Sequence, residues 1–146
     1  MAWPRLNRDR KLELLAGVPL FAACSKRDLS RIASLADRID VREGKVLTRQ
    51  GRPGQEAFII VAGEAKAAMK GRRSVRMGPG EFFGELALLD KGPRAATVTA
   101  ETEMVLLVLD SRGFSALLDD VPSVRRAVMR AMASRLRETE SGEAAH

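Results

Sequence analysis

Residues 82–100 read FFGELALLDKGPRAATVTA, and the other parts of the 146-residue chain are arranged around them. Gly84 and Glu85 open a short apolar run, Gly92-Pro93 break it, and Arg94 follows at the start of a small-residue strand. Gly84 has no side chain, so the backbone there can come close to a ligand. If 85–89 form a helical turn, its leading N–H groups have no internal partner and can point at an oxyanion. Arg94 offers the same anion a planar fork of donors, which matches a phosphate where Lys would act as a point charge. Glu85 can only accept, so it suits hydroxyls beside the anion and is repelled by the anion itself. The stretch predicts a cup for a small anion with a hydroxyl group alongside. Either charge alone would read as a solvated turn residue; the ordered string carries the inference.

On the N-terminal side, the pattern is one of short strands punctuated by glycine. Strands are predicted over 39–41, 46–48, 57–62, 65–69 and 75–77, separated by Glu43-Gly44, Gly51 to Gly54, Gly63-Glu64, Gly71 and Gly78 to Gly80. Glycine supplies the positive φ that tight corners need, so this spacing indicates an antiparallel barrel or sandwich. Beyond the cup, 97–100 and 104–109 are the last strands. Met104, Leu106 and Val108 fall on one face and Val105, Leu107 and Leu109 on the other, which predicts burial on both sides.

Helical patterns flank the strands. Leu12, Leu15 and Ala16 have helical spacing with Gly17 as a stop, and Val18 to Phe21 form an apolar linker. Ser25 and Asp28 make a capping box for a helix whose apolar face is Leu29, Ile32, Ala33 and Ala36. Asp110 or Ser111 caps a helix carrying Phe114, Leu117 and Leu118. Pro122 suits the first turn of a final helix over 122–139, with Val124, Ala127, Val128, Ala131 and Met132 as its stripe. The expected organisation is a single domain over 1–146: a helical entry (9–37), a β-barrel carrying the cup (38–110) and C-terminal helices (111–139).

Composition bounds the function. Hydrophobic residues make up 45% and charged residues 30%, as in ordinary globular domains, and no apolar run is long enough to span a bilayer. The cytoplasm is the expected compartment, with no membrane partner. The formal charge is +6, with basic residues gathered at 5–11, in Arg72, Arg73 and Arg76, and at 125–137. Such charge can steer an anionic ligand. No aromatic residues interleave with the arginines, which disfavours a nucleic-acid surface. The single histidine, His146, and the single cysteine, Cys24, leave no metal cluster and no His-based acid–base pair, so no enzyme is predicted. Cys24 reads as a small buried apolar residue.

The quoted stretch resembles the phosphate-binding cassette of the cyclic nucleotide-binding domains of cAMP-dependent kinases, bacterial cAMP-receptor transcription factors and gated channels. The residues that carry the resemblance are Phe83-Gly84-Glu85-Leu86-Ala87-Leu88-Leu89 and Pro93-Arg94-Ala95-Ala96-Thr97-Val98. It implies a mainly β fold with flanking helices, an antiparallel jelly-roll (double-stranded β-helix) barrel with N-terminal helices and a C-terminal lid helix. By position, Glu85 would hold the ribose 2′-OH and Arg94 the cyclic phosphate. Gly84, Leu86, Ala87, Ala95 and Ala96 would supply backbone or close packing. The chain departs from the family between its front glycines, where Arg52 and Gln55 stand in place of the usual acidic residues.

The resemblance also implies a lid over the base. No aromatic residue follows Phe114, so cover would come from Met132, Arg135 or Leu136, with Thr139 near a base-contacting position of some relatives. Helix packing is the alternative for Met132 and Leu136, and an exposed helix end for Thr139. Relatives that prefer cGMP often carry Thr directly after the cassette arginine. Ala95 stands there, so cAMP is the expected ligand and cGMP the second choice, with no further cofactor. The implied function is a small regulatory sensor that signals through its C-terminal helix to an unknown effector protein, with a homodimer as a candidate arrangement. A nucleotide-free interaction module of the same fold is the alternative.

Overall fold

Alternating apolar residues and turn glycines convert the middle of the chain into eight antiparallel strands among the described residues. The protein is represented by a computed structural model. It describes residues 6–84 and 92–140, without the side chains of 131, 132 and 134–140. The strands are β1 (Asp37–Val41), β2 (Val46–Thr48), β3 (Glu56–Ala62), β4 (Ala65–Ala68), β5 (Val75–Met77), β6 (Phe82–Phe83), β7 (Thr97–Ala100) and β8 (Met104–Asp110). They form two four-stranded sheets, ordered β1-β8-β3-β6 and β2-β7-β4-β5. Glycines at the corners adopt positive φ, as Gly63 does at +89° between β3 and β4. A side chain at Gly63 would come within 2.3 Å of the Glu103 carbonyl oxygen, so this corner needs glycine for space as well as for φ.

The antiparallel jelly-roll with flanking helices is therefore present, but its sheets do not close into a barrel. They face each other, and closure comes from side chains. Phe58, Ile60, Met104, Leu106 and Val108 from one sheet meet Ala65, Val98 and Ala100 from the other.

The outer face of the first sheet carries the helices found among the described residues. These are α1 (Arg8–Ala16), a 3-10 turn (Pro19–Phe21), α2 (Lys26–Leu35), α3 (Ser111–Asp120) and α4 (Pro122–Glu140). Ile59, Leu107 and Leu109 pack there against Leu15, Ile32, Phe114, Leu117 and Val124. Strand β8 thus feeds two cores, as its double-sided apolar sequence predicts. The expected caps form: Ser25 and Asp28 exchange hydrogen bonds in a capping box, and Asp110 accepts from the Gly113 N–H. The linker 18–21 winds into the 3-10 turn and buries Phe21.

The starts of α2 and α4 are joined by a polar chain. Cys24 Sγ lies 3.4 Å from Ser123 Oγ, which in turn donates to Asp28 Oδ2 at 3.4 Å. Cys24 is half-buried, not the sealed apolar residue expected from the sequence. Burial pushes its thiol pKa above the ordinary 9.0; the Ser123 hydrogen bond pulls it down and Asp28 pushes it up. A raised folded pKa gives stability that is complete below the unfolded value and lost as pH climbs through the folded one. Alkylation of Cys24 at pH 8 is expected to be slower in the native protein than in urea, and Cys24→Ser should remove the part of alkaline destabilisation that sets in above 9.0. Equal alkylation rates in the two states would contradict this burial.

Candidate functional site

Arg94 lies just before β7, and its backbone is pinned to the turn after β2. Its N–H donates to the Arg52 carbonyl at 2.8 Å, the Gly51 N–H donates to the Arg94 carbonyl at 2.9 Å, and Pro53 bridges to Pro93. The strand ahead is fixed by Thr48, whose hydroxyl donates to Ala96 O at 2.9 Å and accepts from the Val98 N–H at 3.2 Å. This lacing aims the Arg94 side chain inward, where the residue is only 8% exposed.

The guanidinium rests in a cradle of backbone. Nη1 donates to Glu56 O at 2.8 Å and to Gly84 O at 3.3 Å. Cζ sits 5.9 Å from the centroid of the Phe58 ring, which stacks on Phe83 with centroids 4.8 Å apart. Two glycines make the space. A Cβ on Gly54 would fall 1.9 Å from Nε, and one on Gly84 would fall 2.7 Å from Nη1. Gly84 also holds φ at +83°, where a side chain is strained in any case. Burial lowers the pKa of Arg94 and the nearby Glu56 carboxylate opposes that shift. The group stays a cation across the working range of pH, since arginine does not deprotonate in proteins. The result is a buried, charged fork in a rigid mount, the element that bidentate recognition of a phosphate requires.

A cavity of about 380 Å³ opens beside Arg94, lined also by Val46, Leu47, Thr48, Arg49, Arg52 and Glu56 among others. Its volume is in the range of small-molecule sites. Of the residues expected at the site, Gly84 and Arg94 are brought together. Ala95 is exposed and Ala96 half-buried next to them. Glu85, Leu86 and Ala87 lie outside the described residues. Met132, Arg135, Leu136 and Thr139 fall on α4, with side chains that are also outside the described set. The sequence reading missed Gly54, Glu56 and Phe58. Gly54 alone leaves a trace: its spacing predicts a turn former, yet it does not adopt positive φ, so its glycine serves space.

Among the described residues, no group of three or more His, Cys, Asp or Glu could hold a metal ion, and no helix is long and apolar enough to cross a membrane. Residues 38–121 match the family model described as the cyclic nucleotide-binding domain. The chain is 38% identical over 125 residues to the cAMP-dependent protein kinase regulatory subunit of Emericella nidulans, covering 82% of this chain and 30% of that protein. It is 38% identical over 115 residues to a cyclic nucleotide-gated potassium channel of Mesorhizobium japonicum, covering 79% and 32% respectively. The crystal structure of the N-terminal domain of a transcriptional regulator from Streptomyces coelicolor superposes with a TM-score of 0.76 at 34% identity, covering 88% of this chain and 93% of that one. The chain spans about a third of the length of the two curated relatives, which differ from each other in output. With its matched region running from β1 through α3 and enclosing the Arg94 cradle, the chain belongs to the cyclic nucleotide-binding domain family.

Proposed function

We propose that the protein binds cAMP as a regulatory sensor, with the cyclic phosphate held at Arg94. The observation that carries this reading is the buried Arg94 guanidinium, mounted between Gly54 and Gly84 on backbone carbonyls. Those carbonyls orient the cation without neutralising it, which leaves its charge for an anionic ligand. Glu85 takes the ribose 2′-OH in this proposal, with Leu86 and Ala87 beside it. Met132, Arg135, Leu136 or Thr139 covers the base. The name of the Emericella nidulans relative supports the choice of cAMP.

Selectivity follows from Ala95. It has no side-chain donor or acceptor for the guanine amino group, so cAMP is expected to bind more tightly than cGMP. Titration calorimetry with both nucleotides checks this, and equal or reversed affinities would overturn it. Native mass spectrometry of protein purified from cells tests the broader reading. Retained cyclic nucleotide supports it; a protein that neither retains nor accepts any cyclic nucleotide would instead be an interaction module of the same fold.

Signalling would pass through α4 to an effector protein or to a second copy of the chain. Val124 and Val128 anchor this helix in the helical core, while Met129 stands 69% exposed on it. A change at the cup that shifts this packing would alter what α4 presents to a partner.

A further inference from the structure

Among the described residues, the cavity beside Arg94 is lined by more basic than acidic residues. Among the described residues, three arginines, Arg49, Arg52 and Arg94, line it with one acidic residue, Glu56. Arg49 and Arg52 are in no ion pair among the described residues. Their positions are set by the fold. The Arg52 N–H donates to Arg49 O at 3.1 Å, closing a turn, and Arg52 O accepts from the Arg94 N–H at 2.8 Å. Gln50 between them is held at both ends: its N–H donates to Thr97 Oγ1, and its side-chain oxygen accepts from the Lys70 N–H, each at 2.9 Å. Like charges gathered around one opening repel unless an anion compensates them. Thr48 adds nothing further, because its hydroxyl is committed to the backbone at Ala96 and Val98.

We propose that this cavity is a second anion site, which takes a di- or triphosphate group on Arg49 and Arg52 and reaches Arg94 from the side of Gly54. A chain of phosphates presents several charged oxygens in sequence, which suits three forked donors better than one monoanion does. Because Arg94 is in the wall, the site is antagonistic to cyclic nucleotide: an oligophosphate drawing on this guanidinium weakens its hold on a cyclic phosphate, and by linkage the reverse is also true. The antagonism rests on the reading of Arg94 given above; oligophosphate binding itself does not.

The test is titration calorimetry of the whole chain with inorganic tripolyphosphate, ATP and AMP, at about 0.15 M salt so that loose surface attraction is screened. Tripolyphosphate is expected to bind and AMP not to bind; ATP binding as well would mark nucleoside triphosphates as the source, and its absence would mark inorganic oligophosphate. The double variant Arg49→Ala/Arg52→Ala should lose at least about tenfold in tripolyphosphate affinity, as expected for lost charge-assisted hydrogen bonds. Both arginines are exposed, so the fold should survive the double substitution. No tripolyphosphate heat, or equal affinity in wild type and double variant, would overturn the site. Oligophosphate binding that leaves cAMP affinity unchanged would overturn the antagonism. Oligophosphate binding in a chain that takes no cyclic nucleotide would keep the site and discard the sensor reading.

Discussion

Arg94→Ala is expected to weaken cyclic-nucleotide binding by about 3–5 kcal/mol, two to four orders of magnitude in Kd. The size follows from burial: Arg94 is 8% exposed, so a phosphate paired with it is removed from water and is left uncompensated when the fork is cut away. Arg94→Lys should also lose most of the affinity, because an ammonium cannot donate along two parallel lines. The variants free two carbonyl acceptors, at Glu56 and Gly84, so thermal unfolding must accompany the titration to separate a lost ligand contact from a lost fold. Gly54→Ala supplies an independent arm. Gly54 does not sit in the left-handed region, and the three atoms nearest its new methyl all belong to the flexible Arg94 side chain. The backbone should tolerate it while the guanidinium is displaced, with a loss of about tenfold or more from impaired charge-assisted bonds. A folded Arg94→Ala protein with near-wild-type affinity would remove Arg94 from the site.

The contrast between Arg94 and its cradle shows what the sequence makes legible. Period-two alternation and glycine punctuation placed β2 and β5 at their observed limits, and β1, β3 and β4 within a residue or two. Asp110 and Ser25 announced their helices because capping is a local transaction, settled within three residues. Arg94 was marked as a candidate by the ordered string 83–98 around it, not by its charge alone. Its mount was not. Glu56 O and Gly84 O are backbone acceptors that any residue provides, and Glu56 lies 38 positions away along the chain. Strand β6 escaped for the same reason. Phe82 and Phe83 are too few to show a period, and they become a strand only because β3 supplies Phe58 and Ile59 as partners. Whether the sheets would close by hydrogen bonds or by side chains was likewise a question of long-range register, which composition does not encode.

The largest losses of stability are expected at β8, where Leu106→Ala and Leu107→Ala should each cost about 2–5 kcal/mol. Both residues are fully buried, but they enter different cores. Leu107, opposite Ile59, projects into the layer formed with Phe114, Leu117 and Val124; Leu106, opposite Ile60 and Ile39, projects between the sheets. For a chain of this length, each kcal/mol corresponds to about 2–4 °C in Tm, so thermal unfolding should shift by about 4–20 °C in either variant. The two should then part in function. Phe58 and Phe83 share the inter-sheet core with Leu106, and Phe58 lies under the Arg94 guanidinium, so a cavity at 106 loosens the floor of the cradle. A cavity at 107 loosens the seat of α3 and α4 and leaves that floor packed. Leu106→Ala should therefore lower ligand affinity as well as Tm, whereas Leu107→Ala should lower Tm with affinity largely kept when measured well below the transition. Matching affinity losses in the two variants would mean that the cores do not insulate the site from the helices. A stable Leu106→Ala protein would mean that the inter-sheet packing described for β8 is wrong.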